Sequence, residues 1–484
     1  MNSTSEAVVS PVAAPSFALV HGLTLIAALG GLLFGYDTAV ISGAVGAIDA
    51  NFITPRGLSE TAAGSLSGWA VGCALFGCVI GGAIAGPMSQ RIGRRGGLLV
   101  AAVMFLVSAL GSAYPEFGLA PIGAMGSDAL TPFVIYRIIG GIGVGVASML
   151  SPLYIAEIAP PSQRGRLVTY QQIAIVGGMV IVYFVNWAIA AQGDDAWVLQ
   201  TGWRYMLLSG ALPAALFLLL LLAVPETPRW LVMKGHKDKA HAVLLRLSSE
   251  NDARDVLNEI EGSLSHTSGK LMAFGGLVLF VGIMLSVFQQ LVGINAVLYY
   301  APLMFKNMGA ATDAAFLQTI IVGVANVVFT LVALVTVDRW GRKPLLILGA
   351  LVMAVSMISL GFLFSTGHVG TAALVAVVAY IGGFALSWGP VVWVLLSEIF
   401  PNAIKGKAMA IAVAMQWGAN LLVSGSFKVL DGNSVLNAMF NHGFAYWIYG
   451  VMSVLAALFV LKFVPETKGR TLESIQELWV PSHQ

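Results

Sequence analysis

Long apolar runs recur along the chain, near residues 17–48, 60–88, 96–114, 131–156, 167–192, 203–224, 270–306, 314–337, 344–365, 371–400, 407–427 and 443–464. A helix needs about 20 mostly apolar residues to cross a bilayer, and each run supplies close to that or more. The pattern predicts twelve spans, numbered 1 to 12 in chain order, six on either side of one polar stretch from Pro225 to Gly269. In that stretch Leu244, Leu245, Leu247, Val256, Leu257 and Ile260 recur as on short amphipathic helices lying outside the bilayer. The expected fold is an all-α polytopic membrane protein. It divides into a six-helix bundle over residues 1–224, a helical linker domain over 225–269, a second six-helix bundle over 270–464 and a tail over 465–484.

Composition agrees: 58% of the 484 residues are hydrophobic and 10% charged, more apolar surface than a water-soluble globule can hide. The first apolar run is too long for a secretory signal and has no basic segment before it, so it reads as span 1. Both cysteines, Cys73 and Cys78, lie in span 2, which leaves no disulfide framework and no zinc site. A net charge of +2 speaks against a nucleic-acid partner. Placement of the charges says more than their sum. Lysines and arginines gather after spans 2, 4, 6, 8, 10 and 12, and the opposite loops hold little beyond Arg56, Arg204, Lys306 and Lys428. By the positive-inside rule the linker and both termini are expected in the cytoplasm.

The charges also repeat. "PET" at Pro225 returns at Pro465, an offset of 465 − 225 = 240; Glu157 in "AEIAPPSQRGR" returns as Glu398 in "SEIFPNAIKGK", 398 − 157 = 241; "RIGRR" at Arg91 returns as "RWGRK" at Arg339, 339 − 91 = 248. A duplicated six-helix unit is a transporter signature: two similar halves rock about a site near the midplane.

The motifs "RIGRR" and "DRWGRK" after spans 2 and 8, "PETPRWL" after span 6, "FQQLVGIN" in span 7, "WGPVVWVLLSEIFP" in span 10 and "VPETKGR" after span 12 resemble the sugar porter family of the major facilitator superfamily. The likeness covers nearly the whole chain, and its C-terminal half is most similar to bacterial members that carry D-xylose with a proton. It implies a central sugar site and proton-coupled uptake of a monosaccharide, D-xylose first. A hexose symporter, an uncoupled sugar facilitator and a transporter-like sugar sensor are the alternatives. The expected partners are the sugar, the proton and the bilayer, with the chain acting as a monomer in the bacterial inner membrane and needing no cofactor. Two positions depart from the family pattern: Gln90 stands where Asp or Asn is usual, and Met179 where xylose carriers have glutamine.

Within the spans, Gln289, Gln290 and Asn295 need protein or water partners, because an unpaired amide in hydrocarbon costs a few kcal/mol. In an unbroken helix Gln290 and Asn295 point roughly 140° apart, and a break at Gly293 lets them converge. Gln172 in span 5 and Gln416 with Asn420 in span 11 are further amides. Amides both donate and accept, which suits sugar hydroxyls, and the aromatic residues Phe34, Tyr299, Trp393 and Trp417 offer flat faces to the sugar's C–H groups, while Trp388 is expected to support a bend at Pro390. The family pattern places Gln172, Gln289, Gln290, Asn295, Trp393, Gln416 and Trp417 on the substrate; Phe34 and Tyr299 complete the expected set.

Asp37 in span 1 and Arg137 in span 4 are charges inside apolar spans, where each is expensive. Gly140, Gly141, Gly143 and Gly145 allow close helix approach beside Arg137. Their expected role is proton coupling, Asp37 taking the proton and loosening its hold on Arg137. At the cytoplasmic ends, Glu157 and Glu398 are expected to pair with Arg95 and Arg342. Arg91, Arg164, Glu226, Arg229, Arg339 and Glu466 complete a latch that shuts the inner face. The seven histidines are scattered, and no HExxH or GxSxG motif occurs, so an intramembrane enzyme is disfavoured.

Overall fold

The computed structural model describes residues 17–160, 164–264, 271, 275–401 and 404–468. Among the described residues there is no β-strand, and eleven helical stretches are long and apolar enough to cross a membrane. One of them, Glu60–Ala113, has 54 residues. At 1.5 Å per residue that is about 80 Å, far more than a bilayer's thickness. Gly93, at φ +89°, breaks it into spans 2 and 3, which brings the crossings to twelve.

Spans 7 and 10 are each interrupted by a residue outside helical geometry. Span 7 is two helices, Gly276–Leu291 and Ile294–Asn307, hinged at Gly293 with φ +94°. A Cβ there would lie 2.4 Å from the buried Tyr449 ring, so the hinge requires glycine twice over. Span 10, read in the sequence as one apolar run over 371–400, is two helices, Thr371–Leu386 and Trp388–Ile399, parted at Ser387. Pro390 lies in the first turn of the second piece, where its missing N–H removes no helical bond.

The linker forms three short helices, Pro228–Met233, Lys237–Leu247 and Glu250–Leu264. Leu231, Val232, Ala240 and Ile260 bury a small core between them, apart from the membrane core.

Candidate functional site

The two breaks meet. Gln289 donates from Nε2 to the carbonyls of Trp388 (2.8 Å) and Gly389 (3.2 Å) at the start of the second helix of span 10. Its Oε1 accepts from Gln416 Nε2 and, at 3.4 Å, from Gln290 Nε2. Asn295 Nδ2 donates to Gln290 Oε1 at 2.6 Å, so the turn at Gly293 does bring these two amides together. Asn420, one turn beyond Gln416, donates to the Tyr299 hydroxyl at 3.4 Å. The result is a chain of amides across spans 7, 10 and 11, nearly all of it buried. It still has free valence: Gln416 Oε1 and Trp417 Nε1 are buried without a partner. Desolvated polar atoms of that kind favour a ligand that bonds them.

From the first half of the chain, Phe34 of span 1 lies 5.4 Å from Trp417, tilted by 54°, and the Tyr183 hydroxyl of span 5 donates to the Leu298 carbonyl at 3.0 Å. Trp393 is half-buried and packed on the core. Gln172 is half-buried too, and no hydrogen bond joins it to the cluster among the described residues. Its neighbour Gln171, which the sequence reading passed over, is the buried one: it sits against Gly31 of span 1 with both amide atoms unpartnered. Met179 is buried in the core of the first half.

Asp37 and Arg137 form an ion pair deep between spans 1 and 4. Arg137 Nη1 lies 3.0 Å from Asp37 Oδ1, and its Nη2 donates to the Asp37 carbonyl at 3.1 Å. The pair depends on close helix approach: Cβ atoms at Gly141 and Gly145 would lie 1.8 and 2.4 Å from carbonyl oxygens of span 2.

At the basic end the duplicated motifs build the same network twice. In the first half Arg94 grips Glu157 with two bonds (2.9 and 2.7 Å), while Glu226 accepts the backbone N–H groups of Arg94 and Arg95. In the second half Arg342 grips Glu398 (3.3 and 2.9 Å), and Glu466 accepts from the N–H groups of Arg342 and Lys343. Gly93 and Gly341, at φ +89° and +93°, turn the chain so that these N–H groups face the carboxylate. Burial pushes the Glu466 carboxyl up, but hydrogen bonds from Lys468, Arg342 and Lys343 outweigh it and hold it below its ordinary value.

The expected partner of Glu157 was Arg95; the structure makes it Arg94, and Arg95 instead donates to the carbonyls of Leu221 and Leu222. The repeat itself identifies it, since 342 − 248 = 94. Each network ties elements of one half together, and none of these bonds runs from one half to the other. Arg91, Arg229 and Arg339 are exposed, Lys468 capping the Arg339 carbonyl; the Arg164 side chain lies outside the described residues. Arg94→Ala is therefore expected to lower stability by about 2 kcal/mol more than Arg95→Ala, because it strands a mostly buried carboxylate. Thermal unfolding of the two variants measures this.

Among the described residues, the ion pair between the halves lies at the end away from the basic loops. Spans 2 and 11 are seamed there by small residues: a Cβ on Gly68 would lie 2.3 Å from the Gly425 carbonyl, and one on Gly64 3.1 Å from that of Lys428. Lys428 Nζ then pairs with Asp49 of the first half at 2.7 Å, and Ser434 N donates to Glu60. Lys428→Met should loosen this closure by about 1 kcal/mol, roughly a fivefold shift toward separation. Spin labels at Leu58→Cys and Val435→Cys, both exposed there, would report a longer distance population.

A family model described as "Sugar (and other) transporter" matches residues 23–479. The chain is 56% identical over 474 residues to the D-xylose-proton symporter of Escherichia coli (strain K12), covering 96% of each. It is 50% identical over 467 residues to the glucose facilitated diffusion protein of Zymomonas mobilis, covering 95% of this chain and 98% of that one. The solved inward open conformation of the E. coli xylose transporter matches with a TM-score of 0.87 at 53% identity, over 95% of this chain and all of that one. Fold and likeness together define a multi-pass membrane carrier, not an enzyme. The chain belongs to the sugar transporter family of the major facilitator superfamily.

Proposed function

We propose that this chain takes up D-xylose with a proton across the bacterial inner membrane, alternating access between its two halves, with both termini in the cytoplasm. The observation that carries this reading is the convergence of Gln289, Gln290, Asn295 and Gln416 at the broken spans 7 and 10, faced by Phe34 and Trp417. The amides exchange their mutual bonds for sugar hydroxyls, and the rings cover the sugar's apolar faces. Sequence identity to a D-xylose-proton symporter supports the substrate and the coupling. Contacts at the Asp49–Lys428 end match an inward-facing state, in which the periplasmic side is shut.

Coupling follows from the buried pair. A charged Asp37 holds Arg137; protonated, it loses most of that attraction, so the packing of span 1 on span 4 differs between the two states. The repeated glutamate–arginine networks keep each half rigid while the halves move relative to each other.

A second reading, passive glucose uptake, is favoured by the 50% identity to a facilitated diffusion protein. Uptake of labelled xylose into proteoliposomes, with and without an imposed pH gradient and challenged by glucose, separates the two. The proposal expects accumulation above equilibrium only with the gradient, and xylose preferred. Equal uptake under both conditions would favour the facilitator.

A further inference from the structure

The Asp37–Arg137 pair leaves part of its pocket unused. Asp37 Oδ2, Arg137 Nε, Ser108 Oγ and Ser112 Oγ are all buried with no hydrogen-bond partner. The four residues line one small cavity of about 10 Å³, walled by Leu33, Val40, Phe105 and Leu207. A single water needs about that volume and two to four polar partners, and this cavity offers both. Ser112 lies one helical turn beyond Ser108 in span 3, nearer the end that carries the Asp49–Lys428 closure. Gly140 makes the room, since a Cβ there would lie 2.3 Å from Ser108 Oγ.

We propose that Ser108 and Ser112 hold one water against Asp37 Oδ2 and that this water delivers the coupling proton. The inference rests on the proton-symport reading. A proton entering from the periplasmic side makes the water a hydronium; its O–H bond breaks toward Asp37 Oδ2, a new O–H bond forms on the carboxylate, and neutral water remains. The carboxylate becomes a neutral acid, and Arg137 keeps its charge. The serines are positioning residues, orienting the water through their hydroxyls.

Other titratable groups face the pair from its neighbours: Cys73 and Cys78 on span 2, Tyr299 on span 7 and Tyr36 beside Asp37. None offers a competing direct route to Oδ2. The Tyr36 hydroxyl is shared with Ser209 at 2.7 Å, and Cys73 Sγ donates to its own helix at Ala70.

The test compares wild type, the Ser108→Ala/Ser112→Ala double variant and Ser112→Thr in proteoliposomes. Gradient-driven xylose accumulation is divided by gradient-free exchange in the same vesicles, which cancels any loss of folded protein. The ratio is expected to fall about tenfold in the double variant and to recover in Ser112→Thr, which keeps a hydroxyl. The infrared carbonyl band of protonated Asp37 should shift in the double variant, because its water is no longer held. An unchanged ratio with an unmoved band would overturn the relay while symport stands. A wild type that fails to accumulate sugar under the gradient would overturn symport, and the relay with it.

Discussion

Asp37→Asn is expected to exchange sugar across the membrane yet fail to accumulate it. The amide keeps an acceptor for Arg137 Nη1, and the bond from Nη2 goes to the backbone carbonyl, which the substitution does not touch. The variant should therefore fold, resembling the protonated state that the cycle already visits. What it loses is the ability to change charge. With one proton coupled per sugar, a gradient of one pH unit is worth about 1.4 kcal/mol, enough for about tenfold accumulation. The variant should show none, with counterflow retained; accumulation at the wild-type level would remove Asp37 from the coupling.

Gly293→Ala should damage both stability and sugar binding. A non-glycine residue at φ +94° costs about 1–2 kcal/mol, and pushing the buried Tyr449 ring aside adds about 1–3. The sum is about 2–5 kcal/mol. Relieving it by straightening the hinge would carry Asn295 away from Gln290 and dismantle the amide cluster. Both unfolding temperature and sugar affinity should fall. Gly57→Ala serves as the control: it also sits at positive φ, +58°, but nothing lies within 4 Å of its Cβ, so only the strain term, about 1 kcal/mol, applies. Equal losses in the two variants would mean that the contact with Tyr449 is without consequence.

Much of the fold is legible in the sequence because hydrocarbon imposes a length on every span, and a glycine between two intramembrane amides signals a hinge. The break in span 10 is harder to see. Ser387 and Trp388 are not breakers by composition, and only Pro390 in the following turn hints at a helix start. The partner of Glu157 is a matter of register: adjacent arginines look interchangeable in a motif, yet the turn at Gly93 aims one side chain at the glutamate and its neighbour at the end of span 6. Gln171 and Gln172 pose the same ambiguity, one residue apart and about 100° around a helix. Asp49 and Lys428 stand 379 positions apart, and no local spacing rule joins residues that meet only when two halves close. Ser108 and Ser112 read as small packing residues until the cavity beside Asp37 gives their hydroxyls a direction.

Sugar uptake by this chain requires neutral amides to gather around one sugar in the middle of the membrane. The most direct measurement is the structure of the protein with D-xylose bound. The sugar should lie against Phe34 and Trp417, with its hydroxyls bonded by Gln289, Gln290, Asn295 and Gln416 and completed from the first half by Gln172. Sugar bound elsewhere, with those amides still bonded only to one another, would contradict it.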